Sequence, residues 1–269
     1  MSVLLGVCNW AHPLLESPSC CNALKETGIE AIQLDLGSAE EGFPLASPDM
    51  RRQWKEEAER HGLRLAAVAV LAVLKHGMVA EPGSERRATA EKAIAVAVGC
   101  AADMGIPQIV LPSFKASAIR SKDDLRETAR CLRLACALAK HRGIAVATEN
   151  LLDAGMMKSL LNIVGYDNLC SCLDLSHFVL RRRGDVFDDL PEHLAVCCGV
   201  HLKDGMYGEP GIRPLGQGAC RAGDLLAALK REGYGGALFL ENRYAAQAFG
   251  PDLFHALRRD ADYVRQALP

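Results

Sequence analysis

The stretch IAVATENLLDAGMMKSLLNIVGYDNLCSCLDLSHF, residues 144–178, holds the pattern that decides the fold. Its first part, IAVATEN (144–150), is an apolar run that stops at Glu149. DAGMMKSLLNIVGY follows with the spacing of an amphipathic helix, and LCSCLDLSHF (169–178) is a second apolar run, stopping at Asp174 with His177 three residues on. Neither run alternates strictly between apolar and polar residues, which marks strands buried on both faces of a parallel sheet. A carboxylate buried at the end of such a run is costly unless it is paired or bound to a metal. Each segment therefore leaves the core at that point or meets a cation there.

The same unit recurs along the whole chain. VLLGVCNW (3–10) precedes a helical run ending LKETG, and IEAIQLDL (29–36) precedes SPDMRRQWKEEAERHG, with Ser47 as N-cap, Pro48 at the first helical position and Gly62 as the stop. LRLAAVAVLAVL (63–74) leads to the long helix SERRATAEKAIAVAVGCAADMG, and QIVLPSF (108–114) to SKDDLRETARCLRLACALAKHRG. Beyond the opening stretch come CCGVHLKD (197–204), AGDLLAALKREGY, ALFLEN (237–242) and DLFHALRRDADYVRQAL. About eight strand–helix units at roughly 34 residues each predict an α/β fold, a (β/α)8 TIM barrel built as a single domain over residues 1–269. No glycine-rich phosphate loop follows any strand, which argues against a nucleotide-binding open sheet.

With a net charge of -2, 49% hydrophobic and 24% charged residues, the chain has no basic surplus for nucleic acid. The longest apolar run, 63–74, is too short for a membrane span and carries Arg64. The N-terminus lacks the basic and apolar regions of a signal peptide, so a cytoplasmic protein without membrane contact is expected. Eleven cysteines are an odd number, scattered through apolar runs without a CxxC pair. They read as reduced, buried thiols.

Four polar residues end four successive apolar runs: Glu149, Asp174, His201 and Glu241, each about one repeat from the next. In a parallel barrel these ends meet at the C-terminal rim, where barrel active sites lie. Three carboxylates and one imidazole make an oxygen-rich donor set, suited to one Mn²⁺, Mg²⁺, Co²⁺ or Zn²⁺ ion. His177 lies where the chain turns over the mouth and is placed to hydrogen-bond a substrate or a metal-bound water. Lys203 shares the strand face of His201 and brings a positive charge to the same place. The Gly/Pro-rich loop GMYGEPGIRPLGQG (205–218) is of a kind that closes over ligands, and Arg213 is its candidate for a substrate oxygen or phosphate. Trp10 and Phe114 could wall the mouth, and His12 and His76 lie near strand ends. His61 and His141 read as helix-closing residues, His193 and His255 as helix-surface ones, and RRRGD (181–185) as a solvated charge run.

The motifs TEN, LDLSH, VHLKDG and PLGQG…LLAALKREGYGGALFLEN resemble the xylose isomerase-like TIM-barrel superfamily of sugar isomerases and epimerases. The resemblance covers nearly the whole chain and is strongest from 144 to 242. It implies that Glu149, Asp174, His201 and Glu241 bind one divalent metal ion, most readily Mn²⁺. It also implies that Glu149 and Glu241 serve as the acid/base pair of a sugar isomerase or epimerase working through an enediolate. His177 and Arg213, with Lys203, would contact a sugar or sugar phosphate, and a homodimer or homotetramer is expected. Many members read PLGEGDVD where this chain has PLGQGACR, so Gln217, Ala219 and Arg221 stand in place of three acids. Dehydration of an inosose on a similar site and a non-catalytic sugar-binding barrel are the alternatives. An apurinic endonuclease fits poorly, because the seventh loop lacks a D-x-H pair and the chain lacks positive charge.

Overall fold

The computed structural model describes residues 3–181, 187 and 189–268. The first apolar run forms β1 (Leu4–Cys8), but no long helix follows it. Pro13 and Pro18 each start a separate 3-10 turn, so only Cys21–Leu24 (α1) is α-helical before Gly28, at φ 81°, turns the chain into β2 (Ala31–Asp35). α2 (Pro48–Arg60) begins at the expected proline, and β3 (Arg64–Ala69) takes only the first half of the long apolar run. The second half turns at Leu71, whose N–H donates to Asp35 Oδ1 (3.4 Å), and forms the single-turn helix α3 (Val73–His76).

From there the next α-helices begin at side-chain caps. Ser84 Oγ accepts from Arg87 N (3.2 Å) at the start of α4 (Glu85–Met104), which Gly105 ends in the left-handed region. β4 (Gln108–Pro112) leads to α5 (Lys122–Lys140), capped by Ser121, and β5 (Ala145–Glu149) to α6 (Ala154–Val164), capped by Asp153. β6 (Leu169–Asp174), α7 (Leu175–Arg181), α8 (Leu190–Leu194) and β7 (Cys197–Leu202) come next. The stretch expected as a loop is partly a hairpin of β8 (Asp204–Met206) and β9 (Glu209–Arg213). α9 (Ala222–Arg231), β10 (Ala237–Leu240) and α10 (Leu253–Ala267) complete the order. Past Arg181, the RRRGD run lies outside the described residues.

Eight strands form one closed parallel barrel in the order β1-β10-β7-β6-β5-β4-β3-β2, ringed by helices, as the sequence predicts. β1 pairs on one side with β2 and on the other with β10, with Val7 opposite both Ile32 and Leu240. Backbone contacts gather into two compact units: residues 1–33, 56–65 and 173–269, and residues 34–55 and 66–172. The first buries Leu5, Val7, Ile32, Val200, Phe239 and Leu257; the second buries Leu36, Val68, Ile94, Ile109, Leu132 and Val146. Nine cysteines are thiols, eight of them buried, while Cys170 and Cys198 are disulfide-bonded. That corrects the expectation of thiols throughout. The two occupy second positions of β6 and β7, neighbours in the sheet order, a relation spacing along the chain does not show. No helix among the described residues is long and apolar enough to cross a membrane.

Candidate active site

Strand ends supply the polar cluster. Asp174 is the last residue of β6, His201 the penultimate residue of β7, and Glu241 directly follows β10. Asp174 and His201 are almost fully buried, at 1% and 2% exposure. One ligand atom from each of Asp174, His201 and Glu241 lies within 4.8 Å of the other two. Glu149 ends β5 and is buried; it stands opposite Cys172 in the β5–β6 register, two residues before Asp174 along β6.

Each carboxylate of the cluster has one oxygen tied back to the scaffold. Asp174 Oδ1 accepts from Ser176 N (2.9 Å), Ser176 Oγ (2.5 Å) and His177 N (3.3 Å). Glu241 Oε1 accepts from Trp10 Nε1 (3.0 Å). The other two oxygens face one another's territory. Asp174 Oδ2 is 2.6 Å from Lys203 Nζ and 3.3 Å from His177 Nε2, and Glu241 Oε2 is 2.5 Å from Lys203 Nζ and 3.5 Å from His201 Nδ1. Lys203 Nζ also lies 3.4 Å from His177 Nε2. Burial by itself pushes the Asp174 pKa up, but Lys203 and His177 beside it outweigh that and hold the carboxyl well below the usual carboxylate range. In Glu241, likewise, Lys203 and His201 overcome burial and lower the pKa.

Gln33, on β2, is a site residue that the sequence reading passed over. Its Oε1 lies 3.0 Å from His201 Nε2, so that ring nitrogen carries the proton and Nδ1 is turned toward Glu241. Cys8 packs below the same amide at 4.0 Å, its thiol pushed up to about 12 by burial. The signal was present: Gln33 is a fully buried polar residue inside an apolar strand run. Trp10 walls the site, its ring edge-on to His201 at 6.2 Å, but it also holds Glu241 by its N–H.

The other candidates lie elsewhere. Arg213 ends β9, exposed, its backbone opposite Asp204, and among the described residues it makes no ion pair with the cluster. Phe114 is buried beyond β4. His12 Nδ1 accepts from Leu14 N (3.1 Å) as a turn cap, and His76 faces Glu40 at 3.6 Å. His193 was expected on a helix surface; instead it is 4% exposed, because its ring packs edge-on against Phe178 at 5.3 Å. Asp204 is fully buried and organises the chain after β7. Its Oδ1 accepts from Gly205 N and Cys220 N, and its Oδ2 from Gly216 N and Gly218 N, at 2.8–3.1 Å.

Two carboxylate oxygens and an imidazole nitrogen, converging while their partner atoms are anchored, fit an oxygen-preferring divalent ion. The chain belongs to the xylose isomerase-like TIM barrel family, whose model matches residues 21–267. It is 30% identical, over 99% of its length and 95% of the relative's, to 2-epi-5-epi-valiolone 7-phosphate 2-epimerase of Actinoplanes sp. strain SE50/110. With that family and that relative, it is an enzyme of the isomerase class. Among solved structures it resembles D-psicose 3-epimerase from Clostridium cellulolyticum H10, crystallised with D-tagatose. The TM-score is 0.78 at 14% identity, over 99% of both chains. A xylose isomerase-like TIM barrel protein from Mycobacterium smegmatis, in complex with magnesium, matches with a TM-score of 0.70 at 14% identity, over 93% of this chain and 87% of that one. At such identities the two structures speak for the fold.

Proposed function

We propose that this enzyme is a divalent-metal-dependent sugar epimerase or isomerase that moves a proton next to a carbonyl, through an enediolate of its substrate. The observation that carries the reading is the convergence of Asp174, His201 and Glu241 within 4.8 Å at three strand ends. Glu149 is the fourth metal-holding residue in this reading, and one Mn²⁺ per chain is the proposed ion. When bound, such an ion acts as a Lewis acid toward the carbonyl oxygen.

The remaining chemistry belongs to side chains. Glu149 and Glu241 form the acid/base pair, one taking the proton and the other returning it. Return to the same carbon from the opposite face gives an epimer; return at the neighbouring carbon gives an aldose–ketose isomer. Trp10 holds one oxygen of Glu241 and so fixes how the carboxylate is turned. Lys203 and His177 hold substrate oxygens, and Arg213 meets the distal end of the molecule. The epimerase relative, named for a 7-phosphate, supports a phosphorylated substrate. The proposal extends to a cytoplasmic homodimer or homotetramer, each chain a single domain over 1–269, with no nucleic-acid partner.

Deuterium wash-in tests the reaction. Purified protein with Mn²⁺ in D₂O is offered ketoses, ketose phosphates, hydroxypyruvate and an inosose, and NMR locates the label. Exchange beside a carbonyl is expected, the labelled carbon separating epimerisation from isomerisation; no exchange on any of them, with metal bound, would count against the reading. Glu149→Gln and Glu241→Gln should each lower turnover by at least about a hundredfold, the scale of lost acid–base catalysis. A variant with full activity would remove its residue from the pair.

A further inference from the structure

Lys203 does not sit beside the candidate metal centre; its ammonium sits on the donor atoms. Nζ is 2.6 Å from Asp174 Oδ2 and 2.5 Å from Glu241 Oε2. Those are the two oxygens that the scaffold leaves pointing inward, since Oδ1 is taken by Ser176 and His177 and Oε1 by Trp10. The lysine side chain is 9% exposed and that of Asp174 is 1% exposed, so little water screens the contact. A buried and a half-buried carboxylate this close, the Glu241 side chain being 15% exposed, repel one another unless a cation lies between them, and the chain carries its own.

We infer that Lys203 is an internal counter-cation that competes with the divalent ion for Asp174 and Glu241 and so weakens metal binding. This rests on the metal-site reading above. Both cations need Oδ2 and Oε2, so the ion enters as the ammonium swings off. The lysine is anchored two residues after His201, so the displaced charge stays near the centre and repels the bound ion. Two consequences follow. The metal-free site is charge-compensated and folds without an ion, and metal entry frees the ammonium to meet a substrate oxygen. Lys203 is thus a positioning and affinity-setting residue as well as a substrate contact.

The test is calorimetric titration of chelator-stripped protein with Mn²⁺ at one pH, beside thermal unfolding with and without the ion. Lys203→Met keeps the length of the stem and removes the charge. The metal-free variant should melt lower than the wild-type protein, because Asp174 and Glu241 lose their counter-charge. It should bind Mn²⁺ at least ten times more tightly and gain more in melting temperature on saturation. Binding equal to or weaker than wild type would overturn the inference, since the ammonium would then organise the ligands rather than compete for them. Should Lys203→Met fail to fold, Lys203→Gln, which keeps a donor for the two oxygens, must show the same tightening. If neither wild type nor variant binds Mn²⁺, the metal reading fails and the inference with it; if wild type binds and the variant gains nothing, the inference alone fails.

Discussion

Gln33 sets which face His201 shows to the site. By accepting at His201 Nε2 it leaves Nδ1 directed at Glu241, so the protein itself orients the imidazole. Gln33→Leu keeps the bulk and deletes the acceptor. It should weaken Mn²⁺ binding by about 10–100-fold, the usual effect of losing a partner behind a metal ligand. Calorimetry measures it, and unchanged affinity would mean that packing against Trp10 and Phe239 orients the ring unaided. The residue was hard to see because an amide in AIQLDL breaks the apolar run without bringing a charge. Glu149, Asp174 and Glu241 were legible because a carboxylate at a strand end needs a reason to be there.

The stretch between β7 and α9 is tied down by two buried acids. Asp204 gathers four backbone N–H groups, and Asn242 ties it to a second acid: Asn242 Oδ1 accepts from Asp204 N (2.9 Å), and Asn242 Nδ2 donates to Asp260 Oδ2 (2.9 Å). Asp260 also accepts from Tyr244 OH (3.0 Å) and Leu215 N (3.3 Å). Asp204 thus fixes the backbone path of the segment carrying Gln217, Ala219 and Arg221. Asp204→Ala orphans four N–H groups and should cost roughly 3 kcal/mol or more, at about 1–3 kcal/mol for each group left buried. Urea unfolding reads the loss, and faster amide exchange at 216–220 would localise it.

Asp260 gives the same network a pH dependence. Burial raises its pKa, and the hydrogen bonds from Asn242 and Tyr244 and the nearby Arg259 cation do not cancel the effect. The folded chain therefore holds this proton more tightly than the unfolded chain, where the value is about 3.9. Its contribution to stability is full below about pH 4 and is lost as pH rises through the raised folded value. Asp260→Asn removes that slope. The stability of wild type relative to the variant should fall between pH 4 and neutrality in urea melts, and a constant difference would show that Asp260 titrates normally.

Closure of the barrel depends on how near β1 comes to its neighbours. Gly6 lies between β10 and β2, and a Cβ there would stand 2.7 Å from Phe239 Cδ1 and 2.9 Å from Ala31 O. The backbone on that side cannot yield without opening the ladder. Gly6→Ala should cost about 1–3 kcal/mol, the usual range for overpacking, and lower the melting temperature by several degrees. A melting temperature equal to wild type would mean that β1 shifts freely against β10.

Local chemistry determined much of this protein by itself. The period of apolar runs, the Ser84, Ser121 and Asp153 caps, the Gly105 and Gly165 stops and the acids ending β5 and β6 all act within one repeat, so the chain read in order discloses them. Where local signals conflicted, the reading failed. The prolines after β1 broke an expected helix, the run 63–74 bent at Leu71, and the Gly/Pro loop paired with itself as a hairpin. Only the tertiary structure joined Trp10 to Glu241, Gln33 to His201 and Lys203 to Asp174 and Glu241. Those pairings depend on which strands close the barrel side by side and at what height. Packing of the whole chain sets both, and no residue's own preferences encode either.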